Sequence, residues 1–191
     1  VPIVTVTLYF ARPIINLVGG TGFEDADRVL QILIFAVAIM YLGNLFGHTV
    51  VAINAQKRMI KGYLAGAIVG LMLYFTLIPK YSYFGAAFAT IVVELVVFLS
   101  AYVLTSRVAK FYPSFRILSS ALLAAVPMLV FYQYLEFNWV LEAITGLVIY
   151  GGFLILLKVV PMEFIKSLLF PPLDGPLRSR EDEAREGVGE G

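Results

Sequence analysis

"VLQILIFAVAIMYLGNLFGHTVVA", residues 29–52, is an apolar run without a single Asp, Glu, Lys or Arg. A bilayer core about 30 Å thick is crossed by about 20 mostly apolar residues in an α-helix, so this run predicts one complete crossing. The whole chain of 191 residues has the same character, with 60% hydrophobic and 14% charged residues. Because its apolar runs are continuous and lack the alternation of a membrane barrel, the sequence predicts an all-α polytopic membrane protein.

Short polar breaks divide the chain into further apolar runs of this kind. We expect a transmembrane unit over residues 1–160, with five complete transmembrane helices and the end of a sixth: 1–18 (partial), 29–52, 62–78, 84–104, 117–134 and 139–160. The second complete span is expected to stop at Pro79, which cannot continue a helical hydrogen-bond ladder. Since the chain starts at Val1 within an apolar stretch, we expect it to be the C-terminal piece of a longer protein. Residues 161–191 are expected to be a cytoplasmic interfacial segment and a disordered tail.

The distribution of basic residues predicts the orientation of these spans. Cytoplasmic loops close to membrane helices carry an excess of Lys and Arg. When successive breaks are assigned to alternating sides, one side collects eight basic residues, namely Lys57, Arg58, Lys61, Arg107, Lys110, Arg116, Lys158 and Lys166. The other side collects two, Arg28 and Lys80. The C-terminus is therefore predicted to be cytoplasmic, and the scattered charges form no stripe that would bind nucleic acid.

The sequence offers no chemistry-bearing motif. The absence of cysteine excludes thiolate catalysis and cysteine metal sites. "GGTG" at residues 19–22 lacks the lysine and hydroxyl residue of a phosphate loop, and "EDAD" at residues 24–27 lacks the spacing of a calcium loop. No Ser, His and acid constellation is visible either. We therefore expect no catalytic residue, no metal, no cofactor and no enzymatic activity.

Small residues recur at helical spacing in the middle of the chain. Gly62, Gly66 and Gly70 form two overlapping repeats on one face of the 62–78 span, and glycine at this spacing lets another helix backbone approach closely. The alternative is that glycine is simply common in membrane helices. We interpret this face as a helix packing surface and assign the same role to three small residues at the start of the next span, Gly85, Ala86 and Ala87.

Glu94 is a single carboxylate in the middle of the 84–104 span. At 1.5 Å of rise per residue it lies about 15 Å from either end, near the membrane midplane. Its helix face also carries Ala87, Thr90 and Ala101, while a separate face is suited to lipid: Val92, Val96, Leu99 and Val103. Because an ionisable group costs at least about 2.5 kcal/mol at this depth, we interpret Glu94 as a cavity residue. The alternative is a neutral or hydrogen-bonded carboxyl that joins two helices.

Polar side chains also form a line on the 29–52 span, where Tyr41, Asn44 and His48 are spaced three and four residues apart. Asn44 and His48 are weaker cavity candidates. His48, the chain's sole histidine, can exchange protons near neutral pH, but the same residue also suits an interfacial hydrogen bond. Arg12 can line an anion path or extend to the lipid headgroups, and the sequence does not choose between these roles.

Three segments together resemble one transporter family. "YFARPIINLVGGTGFEDADRVLQIL" (residues 9–33), "INAQKR" (53–58) and "LIPKYSYFGAAFATIVVE" (77–94) are similar, in order and spacing, to the C-terminal half of oligosaccharide flippases of the polysaccharide biosynthesis protein type. These flippases belong to the multidrug, oligosaccharidyl-lipid and polysaccharide exporter superfamily. The resemblance covers residues 8–104. Ser82 and Tyr83 stand where a glycine is usual in the family.

The resemblance implies the C-terminal lobe of a transporter with 12 to 14 helices in the cytoplasmic membrane. The expected activity is to flip an undecaprenyl-diphosphate-linked oligosaccharide from the inner to the outer leaflet by alternating access, for cell-surface polysaccharide synthesis. The expected partners are this lipid-linked oligosaccharide, membrane lipids and the missing N-terminal lobe. In that setting Glu94 is an ion-coupling or lobe-stabilising candidate, and Arg12 a possible diphosphate contact.

Three other functions remain open at this point. A drug or metabolite exporter of the same superfamily would use the same fold and a similar buried acid. A membrane glycan polymerase or ligase would handle the same lipid carrier, although such enzymes generally use a large external loop with catalytic Arg or His, and the external breaks here are short. The third alternative is a membrane scaffold without transport activity.

Overall fold

The fold is described here from a computed structural model, which describes residues 1–20, 22–23, 25–110, 115–134, 138–157 and 159. These residues form five α-helices and no β-strand: α1 Pro2–Gly19, α2 Ala26–Ala52, α3 Gln56–Ala109, α4 Phe115–Tyr134 and α5 Trp139–Leu156. All five helices are long and apolar enough to cross a membrane. The predicted all-α architecture is thus confirmed over these ranges, while the predicted interfacial segment and tail at residues 161–191 lie outside them.

Helix α1 bends in its middle for a reason that is visible in the sequence. Pro13 lies inside the helix, and Phe10 has non-helical backbone angles, with φ −101° and ψ 20°. A proline removes one helical hydrogen bond and its ring clashes with the carbonyl group four residues earlier, so the bend falls just before it. The helix ends at Gly19 and is followed by Gly20, whose φ of 75° lies in the left-handed region that glycine adopts without steric cost.

Helix α3 contains 54 residues and is a hairpin of two arms rather than one rod. A straight helix of this length would measure about 81 Å, far more than the thickness of a bilayer. Its helical geometry is interrupted at Ser82, with φ 50° and ψ −132°. We call residues 56–81 the first arm and residues 83–109 the second arm.

Contacts between the two arms of α3 show that they are antiparallel. A Cβ atom built on Gly62 would lie 2.6 Å from the Cβ of Ser100, and one built on Gly70 would lie 2.9 Å from a methyl group of Val93. Residue numbers thus rise along the first arm as they fall along the second. Near the turn, the hydroxyl groups of Tyr74 and Thr90 are 3.2 Å apart and form a hydrogen bond between the arms.

The helix boundaries differ from the expected ones mainly within α3. The first arm continues through Pro79, where we expected it to stop, and the break falls three residues later at Ser82. The two spans that were expected as separate helices, 62–78 and 84–104, lie within the first and the second arm of α3 respectively. The described residues thus form five helical elements, and one of them, α3, contains two of the expected spans.

Two hydrophobic clusters form the interior of the molecule. One joins α1, α4 and α5 and is built around the buried residues Phe10, Ala124, Ala125, Met128, Tyr132 and Tyr150. The other joins α2 to both arms of α3 around Phe46, Val50, Ala55, Met59 and Ala101. We call them the α1/α4/α5 cluster and the α2/α3 cluster.

Helix α1 connects these two clusters through polar contacts as well as packing. The side-chain amide of Gln31 on α2 donates a hydrogen bond of 3.0 Å to the carbonyl oxygen of Leu8. The hydroxyl group of Tyr9 donates one of 2.5 Å to the carbonyl oxygen of Tyr132 on α4. Neighbouring residues of α1 thus bond to different helices, so α1 lies between α2 and the α4–α5 pair.

Candidate functional site

The polar line predicted on α2 lies on an exposed side of that helix. Tyr41, Asn44 and His48 are all exposed. Phe46, by contrast, is 4% exposed, and its ring centre lies 5.7 Å from that of Phe98 on α3. Asn44 and His48 are each two residues from Phe46, which corresponds to about 200° around a helix, so they point away from α3. The described chain therefore leaves a polar face of α2 uncovered.

Glu94 occupies a seam in the α2/α3 cluster. On one side of the helix face that carries Glu94, Phe98 packs against Phe46 of α2. On the other side, Val93 and Val97 contact the glycine face of the first arm. Glu94 itself is partly buried, and no hydrogen bond or ion pair joins its carboxylate to another residue within the described ranges. It lies twelve residues beyond the turn of α3, and thus about 18 Å from it along the arm.

The two faces expected for the second arm differ in exposure. Ala87 and Ala101, which share a face with Glu94, are each 2% exposed. Leu99 and Val103, on the face suited to lipid, are 46% and 42% exposed. Glu94 thus belongs to the inward side of the arm, although its own side chain stays partly accessible.

Arg12 does not lie close to the other cavity candidates. It is exposed on α1, one turn beyond Leu8, which is the residue bonded to Gln31 of α2. Asn44 is 13 residues beyond Gln31, and so about 20 Å away along the axis of α2. The structure therefore places Arg12 towards one end of the helices, and Asn44 and His48 towards the other.

The predicted glycine face lies between the arms of α3. Gly62, Gly66 and Gly70 are all buried. A Cβ atom built on Gly66 would lie 2.9 Å from a methyl group of Val97, which is closer than real Cβ atoms approach their neighbours. All three glycines therefore contact the second arm directly, so that their face is occupied within the chain itself.

Gly85 and its neighbours form the tightest part of the hairpin. A Cβ atom on Gly85 would overlap the main-chain carbonyl group of Leu77, because the two arm backbones approach most closely there. Ala87 is buried beside it, and the carbonyl oxygen of Ala86 accepts a hydrogen bond of 2.9 Å from Thr90. This end of α3 thus depends on residues with little or no side chain.

A second carboxylate, which sequence reasoning missed, lies in the α1/α4/α5 cluster. Glu142 is 8% exposed in the first turn of α5, where the positive end of the helix dipole favours an acid. It interacts electrostatically with Tyr132, whose hydroxyl group is buried without a hydrogen-bond partner in the described part of the chain. The sequence feature that could have revealed its burial is the helical spacing of Glu142, Gly146 and Tyr150, which lie four residues apart and so share one face of α5.

A groove of about 700 Å³ opens at the opposite end of the α2/α3 cluster from Asn44 and His48. Its walls are mostly apolar and come from α1, α2 and the turn of α3: Ile15, Phe23, Val29, Leu30 and Leu33 are among them. At its rim, the hydroxyl group of Tyr83 donates a hydrogen bond of 3.0 Å to the carboxylate of Asp25. This bond ties the turn of α3 to the start of α2.

Metal chemistry has little support in the part of the chain that the structure covers. Within those residues, no three His, Asp or Glu side chains lie together in a way that could hold a metal ion. His48 is exposed on α2, while the buried Glu142 belongs to the other cluster.

One curated protein shows detectable sequence similarity to this chain. It is the capsular polysaccharide biosynthesis protein CapF of Staphylococcus aureus, which is 28% identical over 105 residues. The matched region covers 55% of this chain and 26% of CapF, so the chain matches about a quarter of that protein's length. No family model matches the chain. No solved structure matches it either.

Proposed function

We propose that this chain is part of a transporter that flips an undecaprenyl-diphosphate-linked oligosaccharide from the inner to the outer leaflet of the cytoplasmic membrane. The product serves cell-surface polysaccharide synthesis. The observation that carries this proposal is the uncovered polar face of α2, with Tyr41, Asn44 and His48 on an otherwise apolar helix. In a membrane such a face is stable only against protein or water, which is what a transport cavity provides.

The sequence similarity supports the same biological setting. The match to a capsular polysaccharide biosynthesis protein is consistent with a role in polysaccharide synthesis. The resemblance of residues 8–104 to oligosaccharide flippases adds the class of cargo. A polar cavity of this kind would hold the sugar head while the lipid tail stays in the bilayer, and the two lobes would rock about it.

In this proposal each arm of α3 crosses the membrane once, which makes six crossings with α1, α2, α4 and α5. The chain then forms the C-terminal lobe of a 12 to 14 helix transporter, with its C-terminus in the cytoplasm. Its partners are the lipid-linked oligosaccharide, membrane lipids and an N-terminal lobe that covers the polar face of α2. The excess of basic residues in alternate breaks supports this orientation.

The driving force in this mechanism is an ion gradient or the membrane potential, which supplies about 2.3 kcal/mol per charge per 100 mV. The protein acts as a transporter and not as an enzyme. Glu94 is the coupling candidate, because it is an acid near the middle of the second arm with access from the seam between α2 and α3. Asn44 and His48 would contact the cargo from α2, and Arg12 would meet its diphosphate.

Translocation in a reconstituted system tests the activity itself. The full protein is placed in liposomes with a fluorescent undecaprenyl-diphosphate oligosaccharide, and the label that reaches the other leaflet is measured. We expect transfer above that of empty liposomes. Transfer of a drug or soluble metabolite, without transfer of the lipid-linked sugar, would favour an exporter, and chain lengthening of the sugar would favour a polymerase.

The substitution Glu94→Gln tests the role of the carboxylate. We expect surface glycan display to fall at least tenfold at matched expression, because glutamine keeps the shape of the side chain but cannot exchange a proton. Asp27→Asn, which removes a carboxylate from the first turn of α2, is the matched control. Unchanged display in the Glu94 variant would exclude ion coupling at this position.

A further inference from the structure

The open end of the α3 hairpin brings two basic segments together. The register of the arms, in which Gly62 lies beside Ser100 and Gly66 beside Val97, places the start of the first arm alongside the end of the second. Five basic residues occupy this end: Lys57, Arg58, Lys61, Arg107 and Lys110. The two groups are more than 40 residues apart in sequence, so the fold alone unites them. We call them the cationic end of α3.

The positive charge of the cationic end is not neutralised within the chain as described. All five side chains are exposed, and none of them forms an ion pair with a described carboxylate. Asp25 and Asp27 belong to the opposite end of α2, and Glu94 is 13 residues, or about 20 Å, before Arg107. Among the described residues, this surface is therefore left without an anionic partner.

The distance from the turn of α3 to its cationic end matches the thickness of the hydrocarbon core of a bilayer. Lys61 is 21 residues from the turn at Ser82, and Arg107 is 25 residues from it. At 1.5 Å of rise per residue these separations are about 32 and 38 Å, whereas the hydrocarbon core is about 30 Å thick. When the turn lies at one boundary of the core, both sets of cations lie in the headgroup layer of the other.

Exposed apolar side chains lie next to these cations along both arms of α3. Ile60 is 62% exposed, Tyr63 55% and Leu64 60%, all on the first arm. Val108 is 41% exposed on the second arm. A ligand that contacts both the cations and the apolar side chains needs an anionic head and an apolar tail. An amphiphile therefore fits this surface better than a soluble phosphate does.

We propose that the cationic end of α3 is a binding site for an anionic phospholipid, whose phosphate contacts the Lys and Arg side chains and whose acyl chains lie along Ile60, Tyr63 and Leu64. This site does not depend on the transport activity proposed above. It lies about 20 Å along the second arm from Glu94, and it is on α3 and not on the polar face of α2.

Lipid binding is tested with the full protein in phosphatidylcholine nanodiscs that contain a small fraction of phosphatidylglycerol. Native mass spectrometry then counts the phosphatidylglycerol that stays bound. We expect the R58Q/K61Q variant to bind it about thirtyfold more weakly, since a cation near an anionic surface contributes about 1 kcal/mol and each 1.4 kcal/mol is a factor of ten. The matched control, R28Q/K80Q, loses one Arg and one Lys near the turn end and should bind as the native protein does.

Two further measurements distinguish charge from structural damage. The R58K/K61R exchange keeps both charges and should retain the lipid, and 1 M salt should weaken binding in the native protein. If R58Q/K61Q does not fold, the single R107Q variant provides the same test from the other arm. Equal lipid retention in R58Q/K61Q and R28Q/K80Q would overturn the proposal, and so would full competition by millimolar inorganic phosphate.

Discussion

The chain reverses its direction at Ser82, between the two arms of α3. Its φ of 50° and ψ of −132° fall outside the regions that an L side chain normally occupies. Glycine has no such restriction, and a glycine is usual near this position in the flippases that the segment resembles. The serine therefore carries backbone strain of about 1–3 kcal/mol at the tightest point of α3.

Replacing Ser82 by glycine should relieve this strain. We expect Ser82→Gly to raise the free energy of unfolding by about 1 kcal/mol, measured by thermal or denaturant unfolding in detergent. Ser119→Gly is the matched control, because Ser119 is exposed inside α4, where glycine should cost about 0.5–1 kcal/mol of helix stability. Destabilisation by both changes would show that Ser82 is not strained.

The sequence predicted which helix face the candidate side chains occupy better than it predicted which residues surround them. The inward stripe of Glu94 followed from helical spacing, and Ala87 and Ala101 on that stripe are indeed buried. The burial of Glu142 was missed, because it depends on the packing of α5 against α4 and not on the local sequence. The separation of Arg12 from Asn44 could not be predicted from the sequence either, since it follows from the register between α1 and α2.

At the scale of the element, the α3 hairpin is held by backbone contact near its turn. Gly85 meets the carbonyl group of Leu77 directly, whereas Gly66 and Gly70 face methyl groups at the ends of valine side chains. Side chains can move by a few tenths of an ångström, but a backbone carbonyl moves only with its helix. The cost of an added methyl group should therefore be higher at Gly85 than at Gly66 or Gly70.

Gly85→Ala tests this element. We expect it to destabilise the protein by about 1–3 kcal/mol, because its new methyl group would overlap the backbone of the first arm. Gly47→Ala is the matched control: nothing lies within 4 Å of a Cβ atom at Gly47, and alanine favours the helix by up to about 1 kcal/mol. The unfolding midpoint in detergent, measured for both variants, should fall for Gly85 alone. Similar midpoints would mean that the arms are not in close contact.

The elements themselves were predictable wherever hydrophobicity decides them. Apolar runs located the helices that became α1, α2, α4 and α5 to within a few residues. They also located the two arms of α3 but not the end of the first arm, because Pro79 is a local signal against helix, whereas the helical geometry continues to Tyr81.

At the scale of the whole molecule, the buried residues of the two hydrophobic clusters lie on different helices. The α1/α4/α5 cluster and the α2/α3 cluster meet along α1 and α2, where Gln31 bonds to Leu8. Local stability follows local packing, so damage to one cluster should remain largely within it.

Met128→Ala tests this separation. Met128 is 0% exposed in the α1/α4/α5 cluster, so its truncation should cost about 2–5 kcal/mol locally. We expect faster hydrogen exchange in α4 and α5, measured by mass spectrometry in detergent, with α3 unchanged. Met72→Ala, at a residue that is 64% exposed, is the control. Uniformly faster exchange in all five helices would show a single cooperative core.

The turn of α3 also has a consequence for biosynthesis. Only Ser82 departs from helical geometry within α3, so no polar loop separates the two apolar arms. Neither arm completes its glycine contacts until residues 93–100 of the second arm have been translated. We therefore expect the two arms to enter the bilayer as a pair, and a reporter placed between them to disrupt that insertion.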